Sequence, residues 1–286
     1  MPSHIVDIHP HIVSRDTVRY PVTPIGGKQS EWSKERSVTL EELVDAMDGA
    51  GVDKAAIVHS STTYGFNNDY VVDAVAAFPK RFTGVFSVNV TEPDAAERMR
   101  YWYGKGMTGM RIFARGSTIK EAWLAIDDPI IFPAWECAGE LGISVATNVH
   151  GAGAGLAQLK SILTRFPRVR LIIDHLGRPP VEDGPPYAAA KDYFSLGEYP
   201  NCYLKLTPSA LKAVLVGKAT ADTLIPKLVE VFGPNRIAWG SNYPASPGSM
   251  SDIVEASKLA LGALSDADRS WIFAKTAQQL YPVLQD

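Results

Sequence analysis

Short apolar runs alternate with longer amphipathic stretches over nearly the whole of this chain. Ile5, Val6 and Ile8 open it with a run of the kind a buried strand needs. The stretch from Val13 to Val38 then breaks the pattern with Pro21, Pro24, Gly26, Gly27 and several charges. A loop of that length inside one domain is usually functional or disordered. Tyr20 and Trp32 argue that it packs, as a partial cover over a site. Thr39-Leu40-Glu41-Glu42 next carries a capping-box pattern, in which hydroxyl and carboxylate each serve the other's orphan amide. Leu40, Leu43, Val44 and Met47 share one face of the helix it opens, and Gly49 and Gly51 end it.

The alternation continues without a break. Strands are predicted over 54–59, 82–88, 107–113, 143–149, 169–173, 202–206 and 237–239. Helices fall between them, over 69–78, from 91 onward, and over 128–141, 156–166, 186–196, 221–232 and 250–261, with a terminal one over 266–281. Eight strand–helix repeats make a (β/α)8 TIM barrel, in which catalytic groups sit at the C-terminal ends of the strands. A doubly wound sheet needs fewer units and a glycine-rich turn after its first strand, where this chain has Pro10-His11. No domain boundary is visible. Residues 1–286 are expected to form one barrel with a loop insertion at 13–38 and a C-terminal helix.

Composition narrows the function classes. A formal net charge of −3 gives no reason to expect nucleic acid or an anionic membrane as partner. No run of about 18 apolar residues is present to span a bilayer, and Met1-Pro2-Ser3-His4 opens no secretory signal. Cys137 and Cys202, far apart in apolar contexts, are expected to be buried free thiols in a reducing compartment, which points to a cytoplasmic protein.

The histidines carry the chemistry. Of His4, His9, His11, His59, His150 and His175, all but His4 fall at or just past the end of a predicted strand, where the barrel fold converges on one mouth. On a strand His9 and His11 point the same way, and imidazole suits zinc and other first-row divalent ions. His59 is explained as well by a neighbouring backbone carbonyl. Arg111 and Arg115 follow the fourth strand and Lys205 lies on the seventh. Arginine forks suit a carboxylated substrate, while Lys205 and Arg111 could equally pair with a strand-end acid. Ser60 to Gly65, with Ser61 and Tyr64 as candidate substrate contacts, either binds substrate oxygens or caps the next helix. Trp32, Tyr64, Trp123 and Tyr243 either line the pocket or pack. No Gly-x-Ser-x-Gly elbow supplies a serine nucleophile.

Four segments carry a resemblance: Asp7-Ile8-His9-Pro10-His11, Thr147-Asn148-Val149-His150, Ile173-Asp174-His175-Leu176-Gly177-Arg178-Pro179 and Trp239-Gly240-Ser241-Asn242-Tyr243-Pro244. Together they resemble the amidohydrolase-related hydrolases and decarboxylases. The last two are most similar to 2-pyrone-4,6-dicarboxylate lactonase and muconolactone-type hydrolases. The resemblance implies that His9, His11, His150 and His175 hold a divalent metal, zinc before others, or polarise the substrate directly as in a metal-free member. It implies hydrolysis of a small carboxylated lactone, in aromatic-compound breakdown, with Arg111 on the carboxylate and His9, His11, His175 and position 242 at the reacting atoms. A non-oxidative decarboxylase and a catalytically silent binding protein are the rivals. The only partner expected is a small carboxylated substrate, with a homo-oligomer contact through 13–38 left open.

One position departs from the family. Asn242 stands where the family carries an aspartate base. A neutral amide accepts no proton, and loss of a general base costs about two to four powers of ten in rate. Either the chain is an inactivated variant, or Asp174, His59 or a metal-bound hydroxide is the base, or only binding is left.

Overall fold

The computed structural model describes residues 4–115, 118–119 and 123–285. Eight strands pair in parallel in chain order: β1 (Val6–Asp7), β2 (Lys54–Val58), β3 (Phe82–Phe86), β4 (Gly109–Ile112), β5 (Ser144–Thr147), β6 (Arg170–Ile173), β7 (Cys202–Leu206) and β8 (Ile237–Trp239). β8 returns to β1 where Ile8 N donates to Trp239 O at 3.3 Å and Ser241 N donates to Asp7 Oδ1 at 2.8 Å. The barrel expected from the alternation is present. No helix of the described residues is long and apolar enough to cross a membrane.

The period of two along each strand sorts the side chains. Met110, Ile112, Ile173, Leu204 and Leu206 face the helices, while Ala56, Val58, Ala146, Ile172, Tyr203 and Ala238 fill the interior. Arg111, Asp174 and Lys205 fall on interior positions of the same alternation, nearer the C-terminal rim. The strands therefore carry three charges into the mouth.

The opposite end is closed by the chain's own C-terminus. Ala274, Ala277, Leu280, Tyr281 and Leu284 join the interior cluster, and Ser144 Oγ donates to Leu280 O at 3.0 Å. Tyr281 lies so close to β4 that a Cβ at Gly109 would come within 2.6 Å of its ring. With the bottom plugged, access is from the top alone.

Local signals mostly hold. The helix Leu40–Ala50 begins with the reciprocal Thr39–Glu42 cap and ends on Gly51 at φ 69°. The first strand is shorter than its apolar run, so His9 and His11 follow it on extended chain. The predicted helix over 186–196 is instead three short turns, Ala188–Ala190, Lys191–Phe194 and Ser195–Glu198, because Gly184, Pro185 and Pro186 interrupt its start. The terminal helix widens to a π turn at Trp271–Lys275. A helix not foreseen, Pro208–Val214, follows β7 with proline at its first position. The 13–38 segment contains the helix Glu31–Glu35 and is tied across the mouth, Thr23 N donating to Thr63 O at 2.9 Å and Ser30 N to Thr62 O at 3.4 Å.

Candidate active site

A cavity of about 570 Å³ opens at the C-terminal end of the barrel. Segments following seven of the eight strands reach it: His9 and His11, Ser60 to Thr62, Arg111 to Arg115, Asn148 and His150, Asp174 to Arg178, Ser209 and Asn242. Trp32 of the insertion is part of its wall.

Asp174 is the electrostatic centre. Its Oδ2 accepts from Arg111 Nε at 2.7 Å, and Lys205 Nζ lies 2.8 Å from Oδ1. Burial alone would raise its carboxyl, but the two cations outweigh burial and hold it well below the usual range. Asp174 is therefore a poor base. Arg111 has its Nε committed to Asp174, and no other described residue accepts from its amino groups, which open into the cavity.

His9 and His175 lie beside this carboxylate, and His11 packs against His9. The His9 ring centre is 4.9 Å from that of His11 and 4.8 Å from that of His175. Both His9 ring nitrogens are buried without a hydrogen-bond partner among the described residues. His11 Nδ1 must donate to Val58 O at 2.7 Å, which leaves its Nε2 as the lone-pair nitrogen. His175 Nδ1 meets Thr207 Oγ1 at 2.9 Å. Burial, reinforced by nearby positive charge, lowers His9 well below its ordinary range and His11 to about 3. Burial likewise lowers His175 to about 4, although Asp174 opposes it. All three are neutral at ordinary pH.

Asp174 and His175 are sequence neighbours, yet both reach the site. The chain turns left-handed at His175, Leu176, Gly177 and Arg178, which breaks the strand alternation. Non-glycine residues held there cost about 1–3 kcal/mol each, and such strain gathers at functional sites. Asn242, at φ 54°, is a second such point on this rim. Its Nδ2 donates to Ser209 Oγ at 3.4 Å and to Ser246 Oγ at 3.3 Å.

The expected residues divide as follows. His9, His11, His150, His175, Arg111, Ser61 and Asn242 all line the cavity. Lys205 does not; it is fully buried beneath it, paired with Asp174. Tyr64 is also withdrawn, its hydroxyl accepting from Ser14 N at 2.7 Å to anchor the insertion. His59 lies on the helix-facing parity, its Nε2 against Gly65 O at 2.8 Å. Sequence reasoning left Asp174 out of the ligand set and did not name Ser209. The strand parity signals the first, whereas the helix carrying the second was not foreseen.

His9, Asp174 and His175 place one ligand atom each within 4.8 Å of one another, a group that could hold a metal ion. Among the described residues His11 and His150 stand outside that group; His11 Nδ1 bonds β2, and His150 Nδ1 accepts from Arg115 Nη1 at 3.2 Å. The trio fits a zinc-type ion in donor type and spacing. It does not fit in charge, since both carboxylate oxygens already face cations.

The amidohydrolase family profile matches residues 6–283. An L-fucono-1,5-lactonase of Burkholderia ambifaria is 29% identical over 130 residues, covering 42% of this chain and 41% of that protein's length. A provisionally assigned 2-pyrone-4,6-dicarboxylic acid hydrolase of Pseudomonas putida superposes with a TM-score of 0.77 at 18% identity, over 100% of both chains. An amidohydrolase of Burkholderia multivorans with bound zinc gives a TM-score of 0.72 at 18% identity, over 98% of this chain and 99% of that one.

Proposed function

The chain belongs to the amidohydrolase family, and from that premise we propose that it is a hydrolase opening a small lactone that carries a carboxylate, of the kind that ring cleavage of aromatic compounds yields.

One observation carries the reading. Arg111, anchored through Nε, turns its free amino groups into a cavity whose imidazoles are held neutral. Hydrolysis of an ester needs that pairing: water loses a proton while a carbonyl oxygen gains negative charge. Arg111 donates to the developing oxyanion, the largest rate term in acyl transfer. The substrate carboxylate lies against Arg115 and Arg178, whose charges, after burial, lower His150.

His11 takes the proton of the attacking water at Nε2, its tautomer fixed by the Val58 carbonyl. Its basicity is low in the free protein because of burial and Arg111. An anionic substrate offsets that positive charge and raises it. Asn242, with Nδ2 held by Ser209 and Ser246, directs its amide oxygen to the water and orients it.

A panel of carboxylated lactones, followed by pH-stat titration and mass analysis of products, tests the reading. Ring opening adds one water and releases one acid per turnover, and Asn242→Asp raises kcat about tenfold or more by adding a base. Release of CO2 instead identifies a decarboxylase. Tight binding without turnover in both chains identifies a binding protein.

A further inference from the structure

Lys205 is a buried charge that the reaction above leaves unused. Its Nζ lies 2.8 Å from Asp174 Oδ1 and is sealed from solvent, with no well-aligned hydrogen bond among the described residues. Placing an ammonium there is expensive unless the site needs a positive charge at that point. The same carboxylate oxygen lies 3.8 Å from His9 Nδ1, and both His9 nitrogens are unpartnered. Two imidazoles and a carboxylate thus surround a place where a cation belongs. A cation is already there.

We propose that the Lys205 ammonium is the built-in cation of this centre, holding Asp174 in place of a divalent ion, so that the natural chain takes none between His9, Asp174 and His175. Asp174 supplies one negative charge, and Lys205 and Arg111 already supply two positive ones. A divalent ion at Oδ1 would sit against the ammonium in a medium that screens poorly. Lys205 cannot withdraw, because β7 fixes its stem inside the barrel. With Lys205 in place, Asp174 stays ionised and Arg111 keeps its orientation toward the cavity. An ordinary structural ion pair makes a different prediction: neutralising the lysine leaves the carboxylate to Arg111 alone, and it takes up no metal.

The inference does not depend on the reaction, so its test reads metal rather than turnover. The full chain, Lys205→Met, Lys205→Gln and Lys205→Met/His175→Asn are stripped with chelator and exposed to Co2+. Bound metal is measured by atomic emission, together with the visible absorption of nitrogen-ligated cobalt and the Co2+-dependent shift in Tm. The natural chain is expected to retain well under one equivalent with no shift in Tm. Lys205→Met and Lys205→Gln gain about one equivalent and a raised Tm, and the added His175→Asn abolishes both. One equivalent bound to the natural chain in a His175-dependent way overturns the proposal. So do folded lysine variants that bind none, and lysine variants that are unfolded and not rescued by Co2+.

Discussion

The indole of Trp32 lies over the imidazole of His11, ring centres 5.1 Å apart and planes inclined at 28°. The segment from Val13 to Val38 thereby reaches the reacting end of the pocket. Its anchors are the backbone bonds to Thr62 and Thr63 and the Ser30–Thr62 hydroxyl pair at 2.8 Å. Trp32 covers one face of the His11 ring and gives the cavity a flat apolar wall.

Removing that wall should weaken binding more than chemistry. Trp32→Ala is expected to raise KM about two- to tenfold, the worth of one aromatic contact of about 0.5–1.5 kcal/mol. Trp32→Phe should keep most of the affinity. Steady-state kinetics on one lactone checks both, and equal losses in the two variants would argue against stacking.

Arg111 serves two partners, so its replacement should show two effects. Arg111→Met leaves Asp174 with Lys205 alone and should lower stability by about 3 kcal/mol, as breaking a buried pair does. It should also lower kcat/KM by about two powers of ten through loss of charged donors to the oxyanion. Arg111→Lys restores charge without the fork and should recover stability more than turnover. Urea denaturation and kinetics on the same samples separate the two.

The barrel was legible because its signal is local and repeated. Each βα unit carries an apolar strand and a following helix, and errors at 186–196 or 208–214 do not disturb the count. Histidines at strand ends were legible for the same reason: position along a strand fixes which rim they reach. Lys205 and Tyr64 were not. Whether a charge on β7 faces substrate or Asp174 depends on β6 and β4, far away in sequence, and the Tyr64 hydroxyl is claimed by Ser14 of the insertion. His175 joins Asp174 in the site only because the backbone turns left-handed after β6, which no apolar pattern encodes.

Acid should destabilise the fold partly through His59. Burial lowers this imidazole from 6.5 to about 4, despite its bond to Gly65 O. Between those values the unfolded chain binds a proton that the folded chain refuses, so stability is full above the upper value and falls as pH drops toward the lower. The share of His59 has a ceiling of about 3 kcal/mol. His59→Gln, whose amide nitrogen takes the place of Nε2 against Gly65 O, should flatten the pH dependence of the urea midpoint between pH of about 4 and 6.5. An unchanged slope would show that His59 does not carry the effect.

Gly240 follows β8 directly beneath the site. A Cβ there would lie 2.7 Å from His9 Cβ and 3.3 Å from His9 N, neither of which is the free end of a side chain. Gly240→Ala must therefore displace His9 or the end of β8 against which it packs. Overpacking of this kind costs about 1–3 kcal/mol, and a displacement of about 1 Å at a reacting group costs about a hundredfold in rate. Gly49→Ala is the matched control: a Cβ there meets nothing within 4 Å, and its helix should gain about 0.5–1 kcal/mol. Loss of activity and of stability at 240, against a gain in stability and normal turnover at 49, is the expected pattern in thermal melts and lactone assays. Normal turnover in Gly240→Ala would mean that His9 has no fixed place in the chemistry, and the reading of the imidazole cluster would fail with it.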